Sequence, residues 1–107
     1  MGVKVSRATR TAVYERDDWT CHICRLPTRT DRGTGDPWAP SLDHLTPRIR
    51  GGGNTVEEMR TAHNWCNTIR GTEPLGDEVP VWAVGGPPES WKQSRAVVAE
   101  RMTGAAA

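Results

Sequence analysis

Phenylalanine is absent from this chain of 107 residues, tyrosine occurs once, and cysteine appears only three times. With hydrophobic residues at 36%, a chain this short has little apolar area from which to build a core. Gly (11) and Pro (8) interrupt what remains, so much of the chain is expected to be loop. A fold short of apolar filling borrows stability from a staple. Three cysteines cannot pair off, and a Cys-x-x-Cys in a reducing compartment is more often a metal or redox site than a disulfide.

No apolar run approaches the roughly 20 residues that span a bilayer, and the N-terminus carries no apolar secretory stretch. The expected setting is cytoplasmic, with no membrane partner. A net charge of +1 does not by itself announce a polyanionic partner. The distribution says more: residues 1–50 hold nine Lys or Arg against six acids, whereas residues 71–90 hold Glu73, Asp77, Glu78 and Glu89 with no Lys or Arg. The basic half is the one suited to phosphate contacts.

Ser6 can N-cap a helix running through Tyr14 and Arg16, with Ala8, Ala12 and Tyr14 on its inward side. Cys21 to Pro27 reads as a tight knuckle, followed by a polar Gly/Pro loop. Residues 41–45 read as a short strand stopped by Pro47 and reversed by Gly51, Gly52 and Gly53, with a second strand near Glu58 to Ala62. A helix is expected from about His63 to Arg70, ending at Gly71. Residues 72–90 should wrap the surface, docking Val81, Trp82 and Val84 on the core. A last helix is expected from Glu89 to Met102, with Trp91, Val98 and Met102 along one side. No internal repeat is evident, and one domain is expected over residues 1–107.

Cys21-x-x-Cys24 and His63-x-x-Cys66 are two ligand pairs of matching spacing, the donor set of a tetrahedral structural Zn2+ site. His22, inside the knuckle, is the weaker candidate for the fourth ligand. A second constellation is Asp43-His44 at a strand end, a hard carboxylate beside an imidazole able to act as a base near neutral pH. Neighbouring strand residues point to opposite faces, so the two share a site only if the strand end bends. Among the five tryptophans, Trp19, Trp65, Trp82 and Trp91 are expected as core filling, and Trp38, in the loop, as a candidate for substrate or partner contact.

Read in order, Cys21-x-x-Cys24, Leu42-Asp43-His44-x-x-Pro47, Gly51-Gly52 and His63-x-x-Cys66-Asn67-x-x-Arg70-Gly71 resemble the HNH endonuclease family, particularly its small actinobacterial and phage members. The resemblance covers about residues 7–72. It implies an α+β fold: a ββα-metal (His-Me finger) core with an N-terminal helix, a zinc knuckle and a C-terminal helix, residues 73–107 forming the wrap and that helix. It implies metal-dependent hydrolysis of DNA phosphodiester bonds, by nicking or double-strand cleavage, to a 5′-phosphate and a 3′-hydroxyl. His44 would be the general base, with Asp43 and Asn67 holding a catalytic Mg2+ or Mn2+. Arg70 would clamp a phosphate, and Arg48 and Arg50 would grip flanking backbone.

The sequence departs from the family at its middle letter: the Asn that normally braces the hairpin loop falls at Glu58, which lacks the NH2 donors, and Asn54 is the candidate to compensate. The alternative is a catalytically weak, zinc-stapled DNA-binding module, or a phage-packaging accessory working beside terminase or another nucleic-acid-processing protein. A Cys-x-x-Cys redox protein is disfavoured, because no βαβ pattern surrounds Cys21.

Overall fold

The computed structural model describes residues 5–46 and 53–104. Helix α1, Arg7–Arg16, begins where expected: the Ser6 hydroxyl accepts the Thr9 N–H at 3.1 Å and satisfies one of the donors left open at a helix start. Its buried residues are Val13 and Tyr14, while Ala8 and Ala12 are exposed. The inward face is therefore turned by one residue from the expected one, because the larger Val13 outcompetes the two alanines for burial. The helix ends in a Schellman-type turn. Trp19 N–H bonds Tyr14 C=O at 2.8 Å and Asp18 N–H bonds Glu15 C=O at 3.1 Å. Asp18 and Trp19 both take left-handed backbone, φ 53 and 54, where glycine would be unstrained. The hydrophobic contact that accompanies such a turn is the Tyr14–Trp19 ring pair, centroids 5.0 Å apart.

Strands β1, Pro40–His44, and β2, Met59–His63, form a two-stranded antiparallel sheet. Asp43 faces Arg60 across the ladder and His44 faces Met59. Leu45 N–H continues the ladder to Glu58 C=O at 2.9 Å. Both strands begin and end within a residue of the expected bounds. Helix α2, Asn64–Arg70, follows β2 without a loop and stops at Gly71, whose φ of 59 suits glycine. A two-stranded sheet is marginal alone and needs cover on its faces. From α1, the Val13 carbonyl accepts the Thr61 hydroxyl at 3.4 Å on one face; from α2, Asn67 and Arg70 reach Ser41 and Asp43 on the other.

The end of α1 is tied to β2 by charge as well. Asp17 accepts the Thr61 N–H at 2.8 Å and pairs with Arg16 at 2.8 Å, and Arg16 donates to the carbonyls of Val56 and Met59. The core holds Cys21, Ile23, Cys24, Ala62, Trp65, Cys66 and Ala83, with Leu26, Ile69, Trp82, Val97 and Val98 packed around it. Three of the seven buried members are cysteines, so the apolar core is built around the ligand cluster.

Residues 72–90 wrap the surface as expected, but Val81 and Val84 are exposed, and Leu75, Val79, Trp82 and Ala83 turn inward. Val81–Ala83 form a 3-10 turn, in which positions three apart eclipse, so Val81 and Val84 share the outer side. The C-terminal helix α3, Ser94–Thr103, starts after a separate 3-10 turn at Trp91–Gln93. That turn resets the helical phase. Ser94, Val97, Val98 and Arg101 form the inward stripe, and Trp91 and Met102 lie exposed. No helix among the described residues is long and apolar enough to cross a membrane.

Candidate metal centre and the strand beside it

The sulfur atoms of Cys21, Cys24 and Cys66 and a ring nitrogen of His63 lie within 4.8 Å of one another, and all four residues are buried. Zinc bonds of about 2.3 Å to sulfur and 2.0 Å to nitrogen put tetrahedral ligands roughly 3.5–3.8 Å apart. The His63 Nδ1 atom lies 3.2 Å from Cys24 Sγ and 3.8 Å from Cys66 Sγ, within a few tenths of an ångström of that spacing. The cluster can hold a zinc ion.

Local structure explains why these four converge. The knuckle is closed by Cys21 N–H to Leu26 C=O at 3.0 Å and Arg25 N–H to Cys21 C=O at 2.9 Å, with Arg25 left-handed at φ 68. Ile23 N–H points at Cys21 Sγ, 3.4 Å away, as a donor toward a thiolate should. His22 N–H bonds Thr61 C=O at 2.9 Å and docks the knuckle on β2. His63 closes β2 and caps α2, and Cys66 sits in the first turn of α2. Binding at His63 and Cys66 therefore fixes how α2 leaves the sheet.

His63 is oriented from behind. Its Nε2 donates to Pro27 C=O at 2.9 Å, which leaves Nδ1 toward the sulfurs, and the Trp38 ring meets it edge-on at 4.9 Å. Trp38 is in turn anchored by Nε1 to Pro88 C=O and by the Arg29 guanidinium 4.4 Å over its ring. Trp38, the tryptophan expected to meet a partner, instead packs on His63 of the Cys/His cluster.

The protonation of the four groups is shared. Hydrogen bonds from Cys24 and Cys66 drive the Cys21 thiol far down, against its burial. The Cys66 thiol is pushed up by its hydrogen bonds to Cys21 and Cys24, then by burial. Burial opposes charge on His63, but hydrogen bonds to Cys21 and Cys24 outweigh it and raise its pKa to about 9. A metal cation supplies the positive charge that this proton otherwise brings, and must displace it to bind.

The second constellation is arranged differently from the expectation. Asp43 is 3% exposed and Arg70 6%, and Arg70 Nη1 donates to both Asp43 oxygens, at 2.6 and 2.7 Å. His22 Nε2 approaches the same carboxylate at 2.7 Å. Arg70, expected to clamp a phosphate, is a buried partner of Asp43, and its Nε donates to Glu73 C=O at 2.9 Å. Asn67 crosses β1 on the same side, donating from Nδ2 to Ser41 Oγ at 3.2 Å and Leu42 C=O at 3.0 Å.

β1 stays regular through His44, so alternation sends His44 to the face opposite Asp43. His44 Nε2 lies 2.8 Å from Asn54 Oδ1. An amide oxygen only accepts, so Nε2 carries the proton and Nδ1 the lone pair. Glu58 sits at the end of a 3-10 turn, with its side chain beside Gly53 and its carbonyl on Leu45. Arg48 and Arg50 lie outside the described residues.

His22 as the second partner of Asp43, and Ser41 as an anchor for Asn67, were not read from the sequence. The available signal was slight: a polar residue inside a knuckle and a hydroxyl two positions before Asp43. No protein-family model, curated protein or solved structure significantly matches the chain.

Proposed function

We propose that the chain is a small HNH-type endonuclease that hydrolyses DNA phosphodiester bonds, with His44 as general base. The observation that carries this reading is the Asn54 contact to His44: an imidazole at a strand end, held through Nε2 by an amide oxygen, presents Nδ1 to a water. The strand, strand, helix order following a Cys-x-x-Cys knuckle supports it, as does the ordered motif set from Cys21 to Gly71.

His44 Nδ1 takes the proton of a water as its oxygen attacks phosphorus. The bond from phosphorus to the 3′ oxygen breaks, leaving a 5′-phosphate and a 3′-hydroxyl whose proton comes from solvent. Arg48 and Arg50, four and six residues beyond His44 in sequence, are the phosphate contacts this reading assigns. Asn67 fixes the β1 backbone from the other face.

The residues do not fit the Mg2+ or Mn2+ that the resemblance implies at Asp43 and Asn67. Both oxygens of Asp43 are bonded to Arg70, His22 shares one of them, and the Asn67 amide is engaged with β1. A guanidinium already neutralises the carboxylate a divalent ion would need. No step is assigned to that ion.

The same observation favours a second reading, a zinc-stapled DNA-binding module with weak or no catalysis, in phage DNA packaging or a related process. Supercoiled plasmid incubated with zinc-loaded protein, with and without Mg2+ or Mn2+, separates the two. Relaxed or linear product that disappears in His44→Ala and weakens in Asn54→Ala is expected. Cleavage retained by His44→Ala overturns the base assignment, and no cleavage by folded wild-type protein under any of these conditions overturns the nuclease reading.

A further inference from the structure

A cavity of about 600 Å3 opens between α1, the start of β1 and the loop that precedes it. Binding sites for small ligands span roughly 300–1,000 Å3, so it can admit one nucleotide. Trp19 and Tyr14 form one wall, Arg10 and Arg29 border it, Ser41 lies where it meets β1, and no Asp or Glu lines it. The Arg10 guanidinium reaches the Tyr14 hydroxyl at 3.5 Å, and Arg29, half exposed, lies 3.9 Å from Glu89.

We infer that this cavity takes an unpaired nucleotide of single-stranded DNA, its base against Trp19 and its phosphate between Arg10 and Arg29. Three features carry the inference. Charge complementarity is one: two cations and no anion in the lining suit a phosphate. The second is the Trp19 ring in the wall, on which any base can stack. It is held by two consecutive left-handed residues, Asp18 and Trp19, a strain that non-glycine residues bear only where the surroundings impose it.

The third is position. Pro40, which also lines the cavity, shares a face of β1 with His44, four residues and about 13 Å along the strand. A short run of nucleotides covers that distance, so a base in the cavity would set the register of the backbone relative to His44. In that respect the inference rests on the nuclease reading. The cavity itself is testable without cleavage.

The test is fluorescence anisotropy of a labelled oligothymidylate of about 12 nucleotides, within the usual range of single-strand site sizes, titrated with zinc-loaded full-length His44→Ala protein. Adding Arg10→Ala and Arg29→Ala together should weaken binding at least tenfold and flatten the salt slope by about 0.7, the worth of the one single-strand phosphate they share. Adding Lys92→Ala and Arg95→Ala, from a cleft beside α3 that touches no residue of β1, removes the same charge and should leave binding unchanged. Trp19→Ala should lose roughly 5- to 150-fold, the worth of one stacked base, while Trp19→Phe keeps binding. Equal loss from both arginine and control pairs, or equal displacement by duplex of the same length, overturns the inference. Binding as described by a protein whose wild type cuts no DNA would sink the nuclease reading and leave the cavity standing. Cleavage by wild type with Arg10 and Arg29 irrelevant to single-strand binding would do the reverse.

Discussion

Asp43 decides between a structural carboxylate and a metal ligand, and its removal has a calculable consequence. In Asp43→Ala, Arg70 keeps its charge at 6% exposure with only the Glu73 carbonyl as partner, and His22 loses its contact. Breaking one side of a buried ion pair costs about 3–5 kcal/mol, because the remaining charge is stranded away from water. Domains of this size have only about 5–15 kcal/mol in total. At about 4–8 °C per kcal/mol, the melting temperature should fall by roughly 12–40 °C. Removing both charges, as Asp43→Leu with Arg70→Met, should recover much of that loss, since paired buried charges are often no better than apolar residues of similar size. The assay is thermal unfolding by circular dichroism of zinc-loaded proteins at neutral pH. A shift in Asp43→Ala of about 4 °C or less, the equivalent of about 1 kcal/mol, would refute the reasoning. Asp43 would then be only loosely committed to Arg70 and available to a divalent ion.

Two further outcomes follow from local geometry. Burial alone would raise the Asp17 pKa, but hydrogen bonds from Arg16 and Thr61 outweigh it and hold the carboxyl below its ordinary 3.8. A depressed folded pKa means stability present above the unfolded value and lost as pH falls through the folded one. The difference in melting temperature between wild type and Asp17→Asn should thus be constant near neutrality and shrink below about pH 4. Over the pH range in which both proteins keep their zinc, a difference that does not narrow contradicts the assignment. Gly86 has φ 82, and a Cβ there would lie 2.8 Å from the Trp38 ring that covers His63. Gly86→Ala should cost about 1–3 kcal/mol through strain and displacement of that ring, and should speed zinc transfer to a chromophoric chelator; an unchanged transfer rate would show that Trp38 does not guard the cluster.

Local signals in the sequence carried the elements well. Ser6 as a cap and Gly71 as a stop act within a few residues of themselves, so α1 and α2 were legible. The four ligands were legible because zinc demands a fixed donor set at short spacing, and a Cys-x-x-Cys paired with a His-x-x-Cys satisfies it. What failed depends on rotation and on distant partners. Ala8 and Ala12 differ from Thr9 and Val13 by one residue, a turn of about 100°, which a weak apolar pattern does not resolve.

The 3-10 turns at Val81–Ala83 and Trp91–Gln93 have a period near three, so Val81 and Val84 turned outward together, and α-helical spacing counted from Trp91 misplaced Met102. Trp38 did not take its expected surroundings. A tryptophan's role is set by what packs on it, and the His63 ring that Trp38 meets is 25 residues away in sequence. For Asp43 the sequence hid the partner: a carboxylate beside a histidine looks like a metal ligand, and the arginine 27 residues away that lies on both of its oxygens gives no local signal.

Everything in the site hangs from the cluster of Cys21, Cys24, His63 and Cys66, which joins the knuckle to β2 and α2 and so sets Asn67 and Arg70 over β1. Its most direct test is metal content measured with unfolding: protein purified without added metal, analysed for zinc, then titrated with a chelator at neutral pH while its circular dichroism is followed. The account predicts one zinc per chain, loss of fold as zinc leaves, and no zinc in Cys66→Ser. A chain that holds no zinc, or that keeps its melting temperature after zinc is stripped, would contradict it.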